Sequence, residues 1–257
     1  DAALACLKVV HQTAGVGVKH ANPCGVAIGN DLLDVYNRAF NADRLSAFGG
    51  IIAMSRTCIE DVAKAINNVF VEIVLAPSFD ETALTILSKK KNLRVLEIGE
   101  IKKRETKLEV RNVDGGILVQ ENDTSVLTRE HLNTVTNIVP AEQDLDTMLF
   151  GWKVLKHVKS NGILIAKNNT TIGVGAGQVS RVDSVDIALR KSGNNISGSI
   201  LCSDAFFPFP DGIQELIKVG VEAIIQPGGS INDKKVIEAA NRAEIVMVFT
   251  GTRHLKH

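Results

Sequence analysis

Short apolar runs rich in β-branched residues alternate along this chain with stretches whose apolar residues recur at helical spacing. That alternation is the strongest constraint on its fold, because strands separated by helices are the pattern of an α/β protein. Strands are predicted over residues 16–18, 49–54, 73–75, 94–98, 117–120, 162–166, 171–175, 199–202, 223–226 and 245–250. Helices are predicted over 2–10, 31–40, 58–69, 81–90, 141–157, 184–191, 212–219 and 234–243. In 31–40, for example, Leu32, Val35, Tyr36 and Ala39 fall on one helical face. The highly charged stretch 99–110 reads as a surface excursion. Val18-Lys19-His20-Ala21-Asn22 and Val158-Lys159-Ser160-Asn161-Gly162 each precede a glycine-punctuated apolar run, a hint of internal duplication. Two similar α/β units are therefore expected, over 1–135 and 136–257, meeting around 127–143.

Several classes of function are disfavoured. Lys+Arg is 29 and Asp+Glu is 29, and this balance argues against a nucleic-acid or anionic-membrane surface. Aromatic residues make up 4%, too few for base-stacking platforms. Cys6, Cys24, Cys58 and Cys202 form no C-x-x-C pair, so reduced thiols in a cytoplasmic protein are expected rather than a disulfide framework. No apolar run approaches the roughly 20 residues of a membrane span, and no signal peptide is visible. The chain starts at Asp1 without an initiator methionine, and its first residues already read as an amphipathic helix. It is expected to be a piece of a longer polypeptide.

Five constellations carry possible chemistry. In Val18-Lys19-His20-Ala21-Asn22-Pro23-Cys24-Gly25 a strand ends, and Lys, His and Asn sit on the connection before a Pro-Cys-Gly turn. Histidine exchanges protons near neutral pH, and a neighbouring ammonium favours the neutral base. The plainer alternative is a solvated Lys beside a packed His. A zinc site of the H-x-E…P-C-x-x-C type is not supplied, since neither the Glu nor the second Cys is present. Ser46-Ala47-Phe48-Gly49-Gly50 offers backbone amides to a ligand, or a tight turn. Gly173-Val174-Gly175-Ala176-Gly177 lacks the spacing of a dinucleotide fingerprint and reads as a flexible turn whose amides, with Arg181, can hold a phosphate. Ser203-Asp204-Ala205-Phe206-Phe207-Pro208-Phe209 puts aromatic rings on a loop, to sandwich a planar heterocycle or seal a core. Gln226-Pro227-Gly228-Gly229-Ser230 enters a helix with free amides. Arg253-His254-Leu255-Lys256-His257 closes the chain as a basic segment, with a solvated tail as the bland alternative.

Together the stretches VKHANPCGVA (18–27), SAFGGIIA (46–53), EIVLAP (72–77), KSN (159–161), GVGAGQVSRV (173–182), SDAFFPF (203–209), QPGGS (226–230) and TRH (252–254) resemble the aminoimidazole carboxamide ribonucleotide (AICAR) transformylase domains of bifunctional purine-biosynthesis enzymes. The resemblance runs the whole length. It implies two cytidine-deaminase-like α/β units without the zinc site. It also implies a formyl transfer from 10-formyltetrahydrofolate to the 5-amino group of AICAR, in a homodimer with sites across the interface. In the longer protein the domain is expected to be fused to an IMP cyclohydrolase.

By motif, His20 resembles the catalytic base, Lys19 its essential neighbour, and Asn161 the amide that orients the formyl oxygen and amine. Gly49, Glu72, Arg181, Phe206 and Arg253 match nucleotide-binding positions. Val182, Asp211, Ser230 and Ile231 match folate-contacting positions. No zinc is expected, and a structural monovalent cation near Asp204 is left open. Pro210 and Leu255 depart from the family pattern, and its upstream Arg-Tyr-Gly-x-Asn-Pro-His segment is not in this sequence. The competing readings are a non-catalytic dimerising fragment with partial nucleotide binding, and a zinc deaminase of related fold.

Overall fold

The computed structural model describes residues 1–10, 12–102, 105–207 and 211–257. Along the chain run α1 (Ala2–Leu7), β1 (Thr13–Lys19), β2 (Asn22–Gly29), α2 (Leu32–Ala42), α3 (Arg44–Ala47), β3 (Ile51–Met54), α4 (Glu60–Asn67), β4 (Ile73–Ala76), α5 (Glu81–Leu87) and β5 (Arg94–Glu97). Then follow β6 (Leu108–Val113), β7 (Gly116–Glu121), β8 (Asn133–Thr134), α6 (Glu142–Leu155), β9 (Ile163–Lys167), β10 (Thr170–Gly175), α7 (Arg181–Ser192), β11 (Ser199–Ser203), α8 (Asp211–Lys218), β12 (Val221–Gln226), α9 (Asp233–Arg242) and β13 (Val246–Phe249).

Eleven strands form one mixed sheet in the order β5-β4-β3-β1-β2-β10-β9-β11-β12-β13-β8. The order is nearly symmetric about the antiparallel β2–β10 junction. On each side a hairpin lies innermost, an antiparallel strand follows it, and two parallel strands lie beyond. The hint of duplication in the sequence thus has a counterpart in strand order, while the sheet itself is continuous.

The two faces are covered differently. α1 and α6 lie over one core that crosses the junction, joining Cys6 and Leu7 to Val16, Val26, Trp152, Leu164 and Ile225. On the other face α2, α4 and α5 cover a second core, and α7, α8 and α9 a third. The alternation Gly15-Val16-Gly17-Val18 explains how β1 serves both faces. Its valines enter the shared core, and Gly15 lets α2 approach the strand.

Two helices rest directly on strand backbone. A Cβ at Gly25 would stand 1.9 Å from the Ala39 carbonyl oxygen of α2. A Cβ at Gly175 would stand 1.9 Å from the Ser184 carbonyl oxygen of α7, and one at Gly173 2.2 Å from that of Ala188. This corrects the reading of 173–177 as a flexible phosphate turn. Gly173 and Gly175 lie in the strand expected over 171–175, where their missing side chains let α7 pack, and of these glycines only Gly177, with φ +69°, sits in the turn.

Other expectations also change. Residues 22–25, read as the end of a connection and a Pro-Cys-Gly turn, belong to the buried strand β2. Pro23 is tolerated because it pairs with Val18 where the β1–β2 register shifts, and a bulge spares the lost donor. The charged excursion ends in an exposed two-stranded hairpin, β6–β7, apart from the main sheet. A helical turn, α3, precedes Phe48-Gly49 and is capped by Asp43. No helix among the described residues is long and apolar enough to cross a membrane.

Candidate active site

Strand registers bring most of the singled-out residues to one edge of the sheet. β1 ends at Lys19, opposite the start of β2 at Asn22, and its neighbour β3 starts just after Gly49-Gly50. β4 starts just after Glu72. Across the junction, β9 starts after Asn161, and the ends of β10, β11, β12 and β13 lie at the same edge. There the loops 176–180, 227–232 and 250–257, and residues 204–207, leave the strands. On the β11–β13 side this is the carboxyl end of the parallel strands, the usual ligand edge of an open α/β sheet, whereas on the β3–β5 side it is their amino end.

His20 and Ala21 form the two-residue turn between β1 and β2, with φ of 48° and 63°. A turn with both central residues left-handed suits Asn-Gly, and a non-glycine residue there is strained by about 1 kcal/mol or more. The corresponding β9–β10 turn uses Asn168-Asn169, which suits that geometry. The strain at His20-Ala21 sits beside the candidate chemistry, where such strain clusters. His20 is exposed. Lys19 donates from Nζ to the Phe48 carbonyl, close to Gly49, whose own N–H donates to the Phe70 carbonyl at 2.9 Å. Gly49 has φ +67°, the left-handed conformation that favours glycine.

The turn is tied to the other half of the sheet. Asn22 Oδ1 accepts from the Lys159 N–H at 3.0 Å. Two residues on, Asn161 is locked by three side-chain bonds. Its Nδ2 donates to the carbonyls of Gln178 (2.9 Å) and Val179 (3.0 Å), and its Oδ1 accepts from Arg181 at 2.7 Å. Arg181 also donates to Asp204 Oδ1 at 2.7 Å and to Ser203 Oγ at 3.0 Å. Asp204 is 0% and the Arg181 side chain 14% exposed, so this is a buried ion pair. The second oxygen of Asp204 accepts from Ser160 Oγ at 2.6 Å and the Gly162 N–H at 2.7 Å. Arg181 therefore points into the protein, binding Asn161 to Asp204, rather than standing free for a phosphate. Among the described residues no group of three or more His, Cys, Asp or Glu is gathered as a metal site.

Arg253 stands differently. It is exposed, its guanidinium lies 4.9 Å from the Phe206 ring centroid, and no carboxylate among the described residues pairs with it. The segment around it is no solvated tail: Lys256 accepts from the Ser160 N–H at 2.9 Å, and His254 is buried. Nearby, Gly228 has no room for a side chain against Phe249, and the Gly229 N–H donates to Asp233 Oδ2 at 2.7 Å. Ser230 Oγ accepts from the Asn232 N–H at 3.1 Å. Val182 and Ile231 are exposed apolar side chains on this edge. Phe207 is buried, so of this aromatic cluster one ring seals core and Phe206 faces the site. Phe209 and Pro210 lie outside the described residues, as does the side chain of Asp211 at the start of α8.

Not every residue comes together within one chain. Glu72 precedes β4 and Asn161 precedes β9, five strand steps apart, which is roughly 24 Å at about 4.8 Å per step. Cys24 lies in the first motif, but burial pushes its thiol up to about 11, which leaves it unreactive. The sequence singled out Asn22 as part of the first constellation and Asp204 as a possible neighbour of a cation, but not the bonds they make here, to Lys159 and to Arg181, Ser160 and Gly162. The signals available were an Asp at a strand end within a motif, and an Asn two residues after the His.

A family model described as the AICARFT/IMPCHase bienzyme matches residues 1–191. The whole chain is 49% identical to the bifunctional purine biosynthesis protein PurH of Bacillus cytotoxicus, covering 50% of that protein. It is 45% identical to the protein of the same name from Caldicellulosiruptor saccharolyticus and 46% to that from a Thermoanaerobacter species, again over all 257 residues and 50% of each. The chain spans about half the length of the curated relatives it matches.

Proposed function

This chain belongs to the AICARFT/IMPCHase bienzyme family, and we propose that it carries the formyl-transfer half of that chemistry, moving the formyl group of 10-formyltetrahydrofolate to the 5-amino group of AICAR. The observation that carries the reading is the meeting of the Lys19-His20 turn with the Asn161–Arg181–Asp204 network, through the Asn22–Lys159 bond.

The aromatic amine of AICAR is a poor nucleophile, because its ring delocalises the nitrogen lone pair. His20 takes the amine proton as nitrogen attacks the formyl carbon. The bond from that carbon to N10 of the folate breaks, and N10 gains a proton. Lys19, an ammonium beside the turn, stabilises the developing oxyanion or delivers that proton. Asn161 suits only part of the role implied by resemblance. Both amide hydrogens are spent on the carbonyls of Gln178 and Val179, so it has no donor left for the formyl oxygen. Its Oδ1 accepts one bond, from Arg181, and keeps a lone pair for the substrate amine. Arg181 acts through Asn161, and Arg253 holds the phosphate. Val182, Asp211, Ser230 and Ile231 form the folate side, and Gly49 lies on the nucleotide side beside Lys19.

The site is completed in a homodimer whose subunits are two α/β units each, of the cytidine-deaminase-like kind. Glu72 stands too far along the edge to reach the same nucleotide from within the chain, so it is assigned to the partner's site. In longer relatives this half is joined to a cyclohydrolase.

The phosphate assignment is tested by Arg253→Lys. Lysine cannot make the bidentate fork of guanidinium to phosphate. Titration calorimetry is expected to show AICAR affinity falling about tenfold, or about 1.4 kcal/mol, with the free nucleoside hardly affected. Equal losses for nucleotide and nucleoside would remove Arg253 from the phosphate.

A further inference from the structure

The segment that carries Arg253 has no helix or strand of its own, yet it is fixed at two points. Beyond Arg253, Lys256 accepts from the Ser160 N–H, and its Nζ donates to the His157 carbonyl at 3.0 Å. Directly after Arg253, His254 turns inward. Burial alternates along these residues, with Arg253 exposed, His254 buried and Leu255 exposed, as in an extended chain. The His254 side chain is 5% exposed, its ring centroid lies 5.6 Å from that of Trp152, and its Nδ1 lies 2.5 Å from Asp123 Oδ2.

Asp123 is itself held from several sides. Its Oδ1 accepts from Lys156 Nζ and from the N–H and Oγ of Ser125, each at 2.9 Å. Burial works against the charged carboxylate, but the Lys156 bond, the neighbouring His254 ring and the Ser125 amide outweigh it and hold Asp123 well below the usual carboxylate range. Burial also lowers His254, and Asp123 offsets this only in part. This favours the neutral form of the ring. An ionised carboxylate only accepts, so the proton sits on Nδ1 and is donated to Asp123.

We propose that Asp123 and His254 form a positioning pair for Arg253: by holding His254 inward against Trp152, Asp123 aims the arginine outward over Phe206, where the phosphate is to be gripped. Neither residue touches substrate in this scheme. The pair follows β7 and joins it to the end of the chain, so an excursion remote from the chemistry in sequence sets the reach of a binding residue. The proposal rests on reading Arg253 as the phosphate ligand.

The test is His254→Phe in the full chain. Phenylalanine keeps a ring against Trp152, removes only the bond to Asp123, and leaves Asp123 paired with Lys156, so no buried charge is stranded. Hydrogen exchange is read at the Ser160 amide and over residues 252–257. It is expected to quicken there by about tenfold to a hundredfold, the range of a hydrogen bond to a charged group, with other strands unchanged. AICAR affinity is expected to fall by a similar factor in the presence of Arg253, and not at all in an Arg253→Ala background. A merely structural role would weaken both backgrounds alike. His254→Asn, whose amide nitrogen takes the place of Nδ1, is expected to restore protection and affinity. Unchanged exchange in a folded His254→Phe chain, equal weakening in both backgrounds, or an Asn variant that behaves like Phe would each overturn the proposal. If the unaltered chain binds no AICAR, the functional reading fails, and the exchange measurement still decides whether the pair holds the segment.

Discussion

His20→Ala is expected to abolish formyl transfer while AICAR binds within a few-fold of wild type. A positioned general base is worth about 10²–10⁴ in rate, and the rest of the site remains intact in this variant. The imidazole is exposed on a two-residue turn, so its removal has little effect on stability. This separates it from residues whose loss acts through the fold. The measurement is kcat for formyl transfer beside calorimetric AICAR affinity. A loss in affinity as large as the loss in rate would make His20 a binding residue, because a transition-state interaction lowers kcat and leaves ground-state binding alone.

Asp204→Ala is expected to have the largest effect on stability of any single change near the site. It leaves the Arg181 guanidinium without its carboxylate and the Gly162 N–H without its acceptor, in a place where Asp204 is fully buried. Stranding one partner of a buried ion pair costs about 3–5 kcal/mol. At about 2–4 °C per kcal/mol for a chain of this size, calorimetry is expected to record a Tm lower by roughly 10 °C. Formyl transfer is expected to fall with it even below the transition, because Asn161 loses the arginine that fixes its Oδ1. A Tm within about 2 °C of wild type would mean that water satisfies Arg181 and that the network does not hold the site together.

The α/β class was legible because helical and strand periods alternate over most of the chain, and burial reads directly from them. β2 was not. Its Pro-Cys-Gly sequence carries the local signature of a turn, and only the register shift opposite Val18 makes Pro23 acceptable in a strand. The strand over 171–175 was legible, but the glycine run 173–177 also suggested a phosphate-holding turn, for a related reason. Local sequence does not reveal that a helix backbone presses on them, which is a matter of tertiary packing. The hairpin of 108–121 was half seen, since its charges and exposed apolar side chains fit neither a core strand nor a helix.

For the site, the motifs named the residues, but what each side chain binds is a property of the fold. Arg181 is chemically apt for phosphate, yet the sheet places a buried Asp204 beside it. Arg253 has the same chemistry, pairs with no carboxylate among the described residues, and lies over the Phe206 ring. Two arginines of equal promise in sequence thus stand in opposite surroundings, one buried on a carboxylate and one exposed over a ring. Asp123 and His254 carried no signal, because they lie 131 positions apart and meet only when the C-terminal segment folds back.

The most direct measurement follows the formyl carbon. The chain is incubated with AICAR and 10-formyltetrahydrofolate labelled in the formyl group, and the nucleotide is separated and counted. Label is expected in the nucleotide, appearing together with tetrahydrofolate and absent with the His20→Ala chain. AICAR bound with measurable affinity while no label passes to it would contradict the account, and would identify the chain as a nucleotide-binding, non-catalytic half.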